Sequence, residues 1–173
     1  MSEWVIPKDF QQTPFFQDSS LALRIDVEKD FEEQLHDGYF LYDIQEKLGE
    51  GVVKPWTNAS LYIPIVFRCW KEEKVKIGEV FQQRKNKEAK EPMTRWVAHF
   101  ISVLFWMNDQ PVPSIVHLNE QIPTLAYKPI NVWERLSFVL QRPHLHHSYS
   151  QLSELYTEIE KIYYKKSIMN IKK

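Results

Sequence analysis

The chain of 173 residues has only one cysteine and four glycines. The single cysteine, Cys69, excludes an internal disulfide framework and a cysteine-rich zinc module, and it favours an intracellular location. So few glycines argue against a fold rich in tight β-hairpins and against a glycine-rich phosphate-binding loop. The first 25 residues contain no basic segment leading into an apolar run, so we expect no secretory signal. Helices joined by proline-marked loops fit this composition better.

Charge is distributed unevenly along the chain, although the net charge is only −1. Residues 1–50 contain four basic and twelve acidic residues, whereas 18 of the 22 basic and 11 of the 23 acidic residues follow residue 50. The two halves of the chain are therefore expected either to attract one another within the fold or to offer a basic surface to a ligand.

The clearest element is the apolar segment EPMTRWVAHFISVLFWMN, which predicts a helix with Pro92 in its first turn. Apolar residues recur at spacings of three and four, and Val103 and Trp106 make the opposite side apolar as well. As a helix, Trp96 to Met107 extends about 18 Å, which is too short for a bilayer core of about 30 Å. A helix that is apolar nearly all round is a buried one.

We therefore predict an all-α fold: one domain over residues 1–173, a bundle of about seven to nine helices around the buried helix Pro92–Met107. Residues 1–17 are expected to form an irregular aromatic arm that docks on the body through Phe15 and Phe16. Pro64 lies inside an apolar run and should kink its helix or mark its true beginning. Residues 21–27 fit a strand as well as the start of the first helix.

The other predicted helices follow from apolar spacing, caps and prolines. They run from a cap at Asp18, Ser19 or Ser20 to Gly38, over Phe40–Leu48, from Thr57 or Asn58 to about Glu73, over Lys74–Lys87, over Ser114–Asn119, from Pro129 to Pro143, and from a capping box at Ser148 and Gln151 onward.

The middle of the chain resembles the YpoC-like proteins, a small Bacillus-type family. The resemblance extends over roughly residues 56–113 and rests on packing motifs rather than chemical ones. It implies a bacterial cytoplasmic helical domain and supplies no catalytic residues. The residues that carry it are Pro55-Trp56, YIPIVFRCW (Tyr62–Trp70), Phe81, Arg84, Glu91-Pro92-Met93 and FISVLFWMNDQPV (Phe100–Val112).

The stretch RPHLHHSYSQ brings together His144, His146 and His147. Three imidazoles are sufficient in number for a zinc site, but ligands one or two residues apart generally diverge, whereas metal-binding helices space them at three or four. Because the stretch follows Pro143 and precedes a predicted cap, we interpret it as an exposed connection between two helices. Metal binding remains the alternative.

Two further candidates, the pair Glu33 and His36 and the single Cys69, have simpler structural explanations. Glu33 and His36 form an E-x-x-H unit, but the second copy that helical di-iron sites need is absent, so a solvated acidic face explains them. Cys69, in an apolar helix, is expected to be a small buried residue.

A polar row on the central helix is the best pocket candidate. Arg95, His99, Ser102 and Trp106 fall within about 60° of one another at 100° per residue. Buried polar groups need partners, so this row either pairs with acids from the N-terminal half or lines a ligand pocket.

The region from Arg84 to Lys90 carries a basic patch of Arg84, Lys85, Lys87 and Lys90. Such a cluster suits phosphate binding, but no nucleic-acid-reading motif accompanies it, and an ordinary solvated helix face is the simpler explanation.

We therefore expect a non-enzymatic interaction or accessory protein that binds a protein partner through its surface, in the cytoplasm, without a cofactor and without membrane contact. Nucleic-acid binding through Arg84–Lys90, and a ligand- or metal-binding enzyme that uses the polar row, remain the alternatives.

Overall fold

A computed structural model describes residues 2–16, 22–26 and 28–171. These residues form seven α-helices and one two-stranded sheet, which confirms the predicted all-α class. The helices are α1 (Phe31–Asp37), α2 (Leu41–Lys47), α3 (Ala59–Gln82), α4 (Lys90–Trp106), α5 (Leu118–Gln121), α6 (Val132–Gln141) and α7 (His146–Ile171).

The central helix is α4, as predicted. All its residues from Trp96 to Trp106 are buried, and the ring of Trp96 and the side chain of Phe100 are fully enclosed. Pro92 is the third residue of α4, where its missing N–H leaves no intrahelical bond unmade. Helices α3, α6 and α7 pack around α4. From α7, Tyr156 stacks on Trp70 with ring centroids 4.3 Å apart and donates a hydrogen bond to the Trp96 carbonyl.

The N-terminal arm is more regular than predicted. Strand β1 (Ser2–Val5) pairs antiparallel with β2 (Ala22–Ile25), which places Trp4 opposite Leu23. The strand alternative for residues 21–27 is therefore correct over β2, because alternation buries Leu23 and Ile25 on one face. The ring of Phe15 meets the ring of Phe40 edge-on, with centroids 5.2 Å apart.

The segment from Thr57 to Lys87 was predicted as two helices, and this prediction was wrong. Helix α3 continues for 24 residues, because the charged stretch around Lys74 contains neither proline nor a capping residue that would end it. Pro64 lies inside α3, in its second turn, and neither begins nor ends it. Asn58 is the N-cap residue by position, although its side chain makes no capping hydrogen bond.

Several other predicted boundaries shift. The first helix begins only at Phe31, where the Asp30 carboxylate and Glu33 form a capping box; the caps predicted at 18–20 and Val27 lie outside the described residues. The predicted helix over 114–119 is the later α5, and α6 starts after Asn131 rather than at Pro129. The capping box predicted at Ser148 and Gln151 was wrong.

Helix α7 starts two residues before that predicted cap. Ser148 is buried in its first turn, and its hydroxyl donates instead to the Arg142 carbonyl in the preceding connection. That hydrogen bond allows the helix to begin at His146 without a Ser148 cap.

None of the described helices is both long enough and apolar enough to cross a membrane.

Candidate functional site

The polar row of α4 meets a buried carboxylate. Asp43, on α2, is 1% exposed and accepts hydrogen bonds from the Ser102 hydroxyl (3.0 Å) and the Trp106 indole N–H (2.9 Å). Its Oδ1 also accepts from the backbone N–H of Val112, at 2.9 Å. One N-terminal acid thus joins α2 to α4 and to the connection that follows α4.

The other two members of the row have different partners. Nε2 of His99 lies 2.8 Å from the Leu35 carbonyl, so the ring donates this hydrogen bond as a neutral imidazole. Arg95 donates to Glu91 on its own helix, at 2.5 Å, rather than to an N-terminal acid. His99, Ser102 and Trp106 together line a cavity of about 10 Å³. That volume is about the minimum for one water molecule.

Burial shifts the pKa values of both Asp43 and His99. Desolvation raises the pKa of Asp43 to about 6, against the effect of its three hydrogen bonds, which favour the anion. Desolvation also lowers the pKa of His99 to about 3, so the imidazole is neutral near pH 7. These groups are enclosed and satisfied by protein partners, as structural polar networks are.

The three histidines of RPHLHHSYSQ do not converge. His144 lies in the connection before α7, while His146 and His147 occupy the first turn of that helix and were wrongly predicted to precede it. The His146 ring packs against Phe81, with centroids 5.7 Å apart, whereas the His147 ring packs edge-on against Phe138, at 5.2 Å. Adjacent residues on a helix point about 100° apart, which explains the separation.

The basic patch lies in the turn between α3 and α4 and at the first residue of α4. Arg84, Lys85, Lys87 and Lys90 are all exposed, and none forms an ion pair with a carboxylate of the described residues. Glu88 lies in the same turn, and the nearby Glu91 already pairs with Arg95. The turn follows directly from Arg84, whose backbone adopts the left-handed conformation (φ 58°) that ends α3.

A second connection brings more positive charge to the same end of the bundle. Lys90 and His144 line one open cleft of about 560 Å³, and exposed Arg142 lies two residues before His144. Trp133 and Leu140, both half-buried, give the cleft an apolar wall. We call the five exposed cations Arg84, Lys85, Lys87, Lys90 and Arg142 the basic end.

Sequence reasoning missed Arg142 as a member of this surface. It lies more than fifty residues from Lys90 in the chain. The two connections approach each other only by helix packing, with His144 on the same cleft as Lys90 and the His146 ring against Phe81. Its guanidinium also sits over the Phe138 ring, 5.2 Å from the centroid, which holds the side chain at the surface.

A different set of three chemical groups lies between α1 and α3. Ligand-type atoms of Glu32, His36 and Cys69 all lie within 4.8 Å of one another, the one such cluster in the part of the chain that is described. Glu32 and His36 are four residues apart and therefore share a face of α1. The predicted E-x-x-H partner Glu33 instead accepts a hydrogen bond from the Asp30 backbone N–H at the helix start.

The surroundings of this cluster are charged. Arg68 donates two hydrogen bonds to the Glu32 carboxylate, at 2.9 and 3.2 Å, and thereby lowers its pKa. Nδ1 of His36 lies 3.7 Å from the Glu73 carboxylate. Burial, followed by the charge of Glu32, raises the pKa of the Cys69 thiol to about 12, so the thiol is protonated near pH 7. The i,i+4 spacing of Glu32 and His36 was visible in the sequence, but the approach of Cys69 was not.

These features define an all-α bundle in which Asp43, His99, Ser102 and Trp106 pair with one another or with the backbone, while the basic end is exposed. A family model described as YpoC-like protein matches residues 60–171. The uncharacterized protein YpoC of Bacillus subtilis (strain 168) is 34% identical over 116 residues, which cover 67% of this chain and 71% of that protein. The chain belongs to the YpoC-like family, which confirms the resemblance seen in the sequence. No solved structure matches the chain significantly.

Proposed function

We propose that this protein is a non-enzymatic interaction protein that acts in the cytoplasm by binding an acidic partner protein through the basic end. The observation that supports the proposal is a run of four exposed cations from Arg84 to Lys90, beside a cleft that Lys90 shares with His144 of the connection carrying exposed Arg142. None of the five cations forms an ion pair with a described carboxylate. Unpaired surface charge of one sign steers a partner of the opposite sign and fixes its orientation.

The cleft beside the basic end indicates what kind of segment would bind. Trp133 and Leu140 provide apolar wall surface next to Lys90, and large aromatic side chains often carry much of the binding energy of an interface. The partner segment is therefore acidic with at least one apolar side chain, which would enter the cleft while its carboxylates contact the cations.

The test is affinity purification from the native cells, with nuclease-treated lysate, of the wild type and of the triple variant Arg84→Glu, Lys85→Glu, Lys87→Glu. We expect a protein partner to be recovered with the wild type and to fall at least about tenfold with the variant, because like charges would then oppose. A matched control, Lys8→Glu, Lys161→Glu, Lys165→Glu, makes the same change in net charge at exposed sites elsewhere. Equal recovery with all three proteins would contradict the proposal.

Nucleic acid is the second candidate ligand, because Arg84, Lys85 and Lys87 are exposed in one turn and suit phosphate contacts. Titration with double-stranded DNA and with RNA at several salt concentrations separates it from a protein partner. A nucleic-acid function predicts binding that weakens steeply with salt and is lost in the triple variant. No binding at low salt would exclude it.

A further inference from the structure

We propose that Glu32, His36 and Cys69 form a binding site for a zinc-type divalent cation that ties α1 to α3. This site is independent of the basic end. It rests on one nitrogen, one sulfur and one oxygen ligand type converging from two helices, with their ligand atoms within 4.8 Å of one another.

The donor set selects the class of metal. Zinc takes imidazole, thiolate and carboxylate ligands at about 2.0–2.3 Å, so two ligands of one tetrahedral ion lie about 3.5 Å apart. The limit of 4.8 Å on the observed separations exceeds that value by about 1.3 Å, a difference that rotation of the Glu32 and His36 side chains can close. Calcium and magnesium prefer sites made of oxygen ligands alone and are poorly matched by a thiolate.

Two neighbouring residues hold the ligands as metal sites require. Arg68 donates one hydrogen bond to each carboxylate oxygen of Glu32. Carboxylates that bind metals are commonly hydrogen-bonded to a neighbouring residue. Glu73 lies 3.7 Å from Nδ1 of His36, and a small shift of either side chain would form the hydrogen bond that orients the imidazole, leaving Nε2 for the metal. Glu72, which lies 3.9 Å from Arg68, adds negative charge that offsets the repulsion between Arg68 and a cation.

The cluster is buried on the side of Cys69 and open to solvent on the side of Glu32 and His36. Cys69 is fully buried, whereas the side chains of Glu32 and His36 are each 39% exposed. Three protein ligands leave a fourth tetrahedral position, which a water molecule fills from the solvent side. On binding, the Cys69 thiol loses its proton to solvent as the metal–sulfur bond forms.

Cobalt(II) titration of the untagged full chain, stripped of metal by a chelator, tests the site directly. A thiolate bound to Co²⁺ produces a charge-transfer band in the near ultraviolet, and the chain has a single cysteine, so the band reports on Cys69 alone. We expect one Co²⁺ per chain, the band, and its loss when Zn²⁺ displaces the cobalt.

The variants distinguish a built site from adventitious binding. Cys69→Ser should abolish the band, His36→Gln should weaken Co²⁺ binding at least tenfold, and Glu73→Gln should weaken it by roughly tenfold through loss of orientation. His36→Gln is partly exposed and leaves the core intact, so it decides the question even if Cys69→Ser disturbs folding. His146→Gln with His147→Gln is the control and should bind as the wild type does. Absence of the band from the wild type, or wild-type affinity in His36→Gln, would overturn the proposal.

Discussion

Asp43 carries a carboxylate in a buried environment that disfavours its charged form. It is almost fully buried, with no cation among its hydrogen-bond partners, and its three donors come from two side chains and one backbone N–H. The donors favour the anion and burial opposes it, and burial prevails because the pKa rises to about 6. The hydrogen bonds of Asp43 therefore join α2 to α4. Its ionisation, in contrast, lowers the free energy of unfolding near neutral pH.

Substitution at Asp43 separates these two roles. In Asp43→Asn, Oδ1 can still accept from Trp106 and Val112, while the amide donates to the Ser102 hydroxyl, so the hydrogen bonds survive without the charge. Asp43→Ala leaves the buried donors without an acceptor and should be less stable than Asp43→Asn by about 3 kcal/mol in urea unfolding. Equal stability of the two variants would show that the hydrogen bonds do not matter.

The pH dependence of the same residue has a defined sign. The folded pKa of Asp43 (about 6) lies above the ordinary value of 3.8, so the folded state holds the proton more tightly and this contribution to stability falls as pH rises. The stability of the wild type relative to Asp43→Asn should decrease by about 2 kcal/mol between about pH 4 and about pH 7. A difference that stays constant with pH would contradict the raised pKa.

The comparison with Asp43→Asn is needed because the contribution of His99 to stability changes with pH in the opposite direction. Its folded pKa is lowered to about 3, below the ordinary 6.5, so its contribution is present at neutral pH and is lost as pH falls. His99 is the same in both proteins, and its contribution cancels from the difference.

At the scale of elements, Gly78 sets how closely α3 and α7 approach. A Cβ added at this position would lie 2.9 Å from the Tyr149 hydroxyl oxygen, which donates to the Lys74 carbonyl at 3.0 Å. Real Cβ atoms do not come that close to an oxygen held in place, so the glycine is required by the neighbouring helix and not by the backbone of α3 itself.

This requirement predicts coupling between two substitutions. Gly78→Ala should be neutral or destabilising in the wild type, because a helix-propensity gain of about 1 kcal/mol is offset by the contact with Tyr149. In the Tyr149→Phe background the oxygen is gone, and the same substitution should stabilise the protein. A double-mutant cycle by urea unfolding should give a coupling energy of about 1–2 kcal/mol. Additive effects would mean that a Cβ at residue 78 does not contact the Tyr149 hydroxyl.

The elements differ in how far the sequence predicts them. Helix α4 was predictable because apolar residues occupy nearly its whole circumference and Pro92 lies in its first turn. The continuity of α3 was not, since a change from apolar to charged residues looks like a boundary, although one face of the helix stays buried beyond it through Ile77 and Phe81. Strand β1 was missed because four residues gain their stability from pairing with β2, which lies about twenty residues away.

At the scale of the whole molecule, the acidic and basic halves neutralise one another only in part. Arg68 pairs with Glu32 and Lys54 pairs with Glu46 across the two halves, but the basic end keeps its charge exposed. The basic patch from Arg84 to Lys90 was visible in the sequence because its four cations fall within seven residues, although part of that stretch was predicted as helix. Arg142 and the cluster at Cys69 were not, because each is assembled by helix packing.

The proposed surface function requires that α4 be enclosed, with the buried groups of His99, Ser102 and Trp106 paired within the protein. Hydrogen–deuterium exchange of the native protein, followed by mass spectrometry of its peptides, measures this directly. We expect peptides that cover residues 96–106 to exchange most slowly, at the rate of global unfolding, and the turn at 84–90 to exchange early. Rapid exchange of 96–106 under native conditions would contradict a buried centre and the surface function inferred from it.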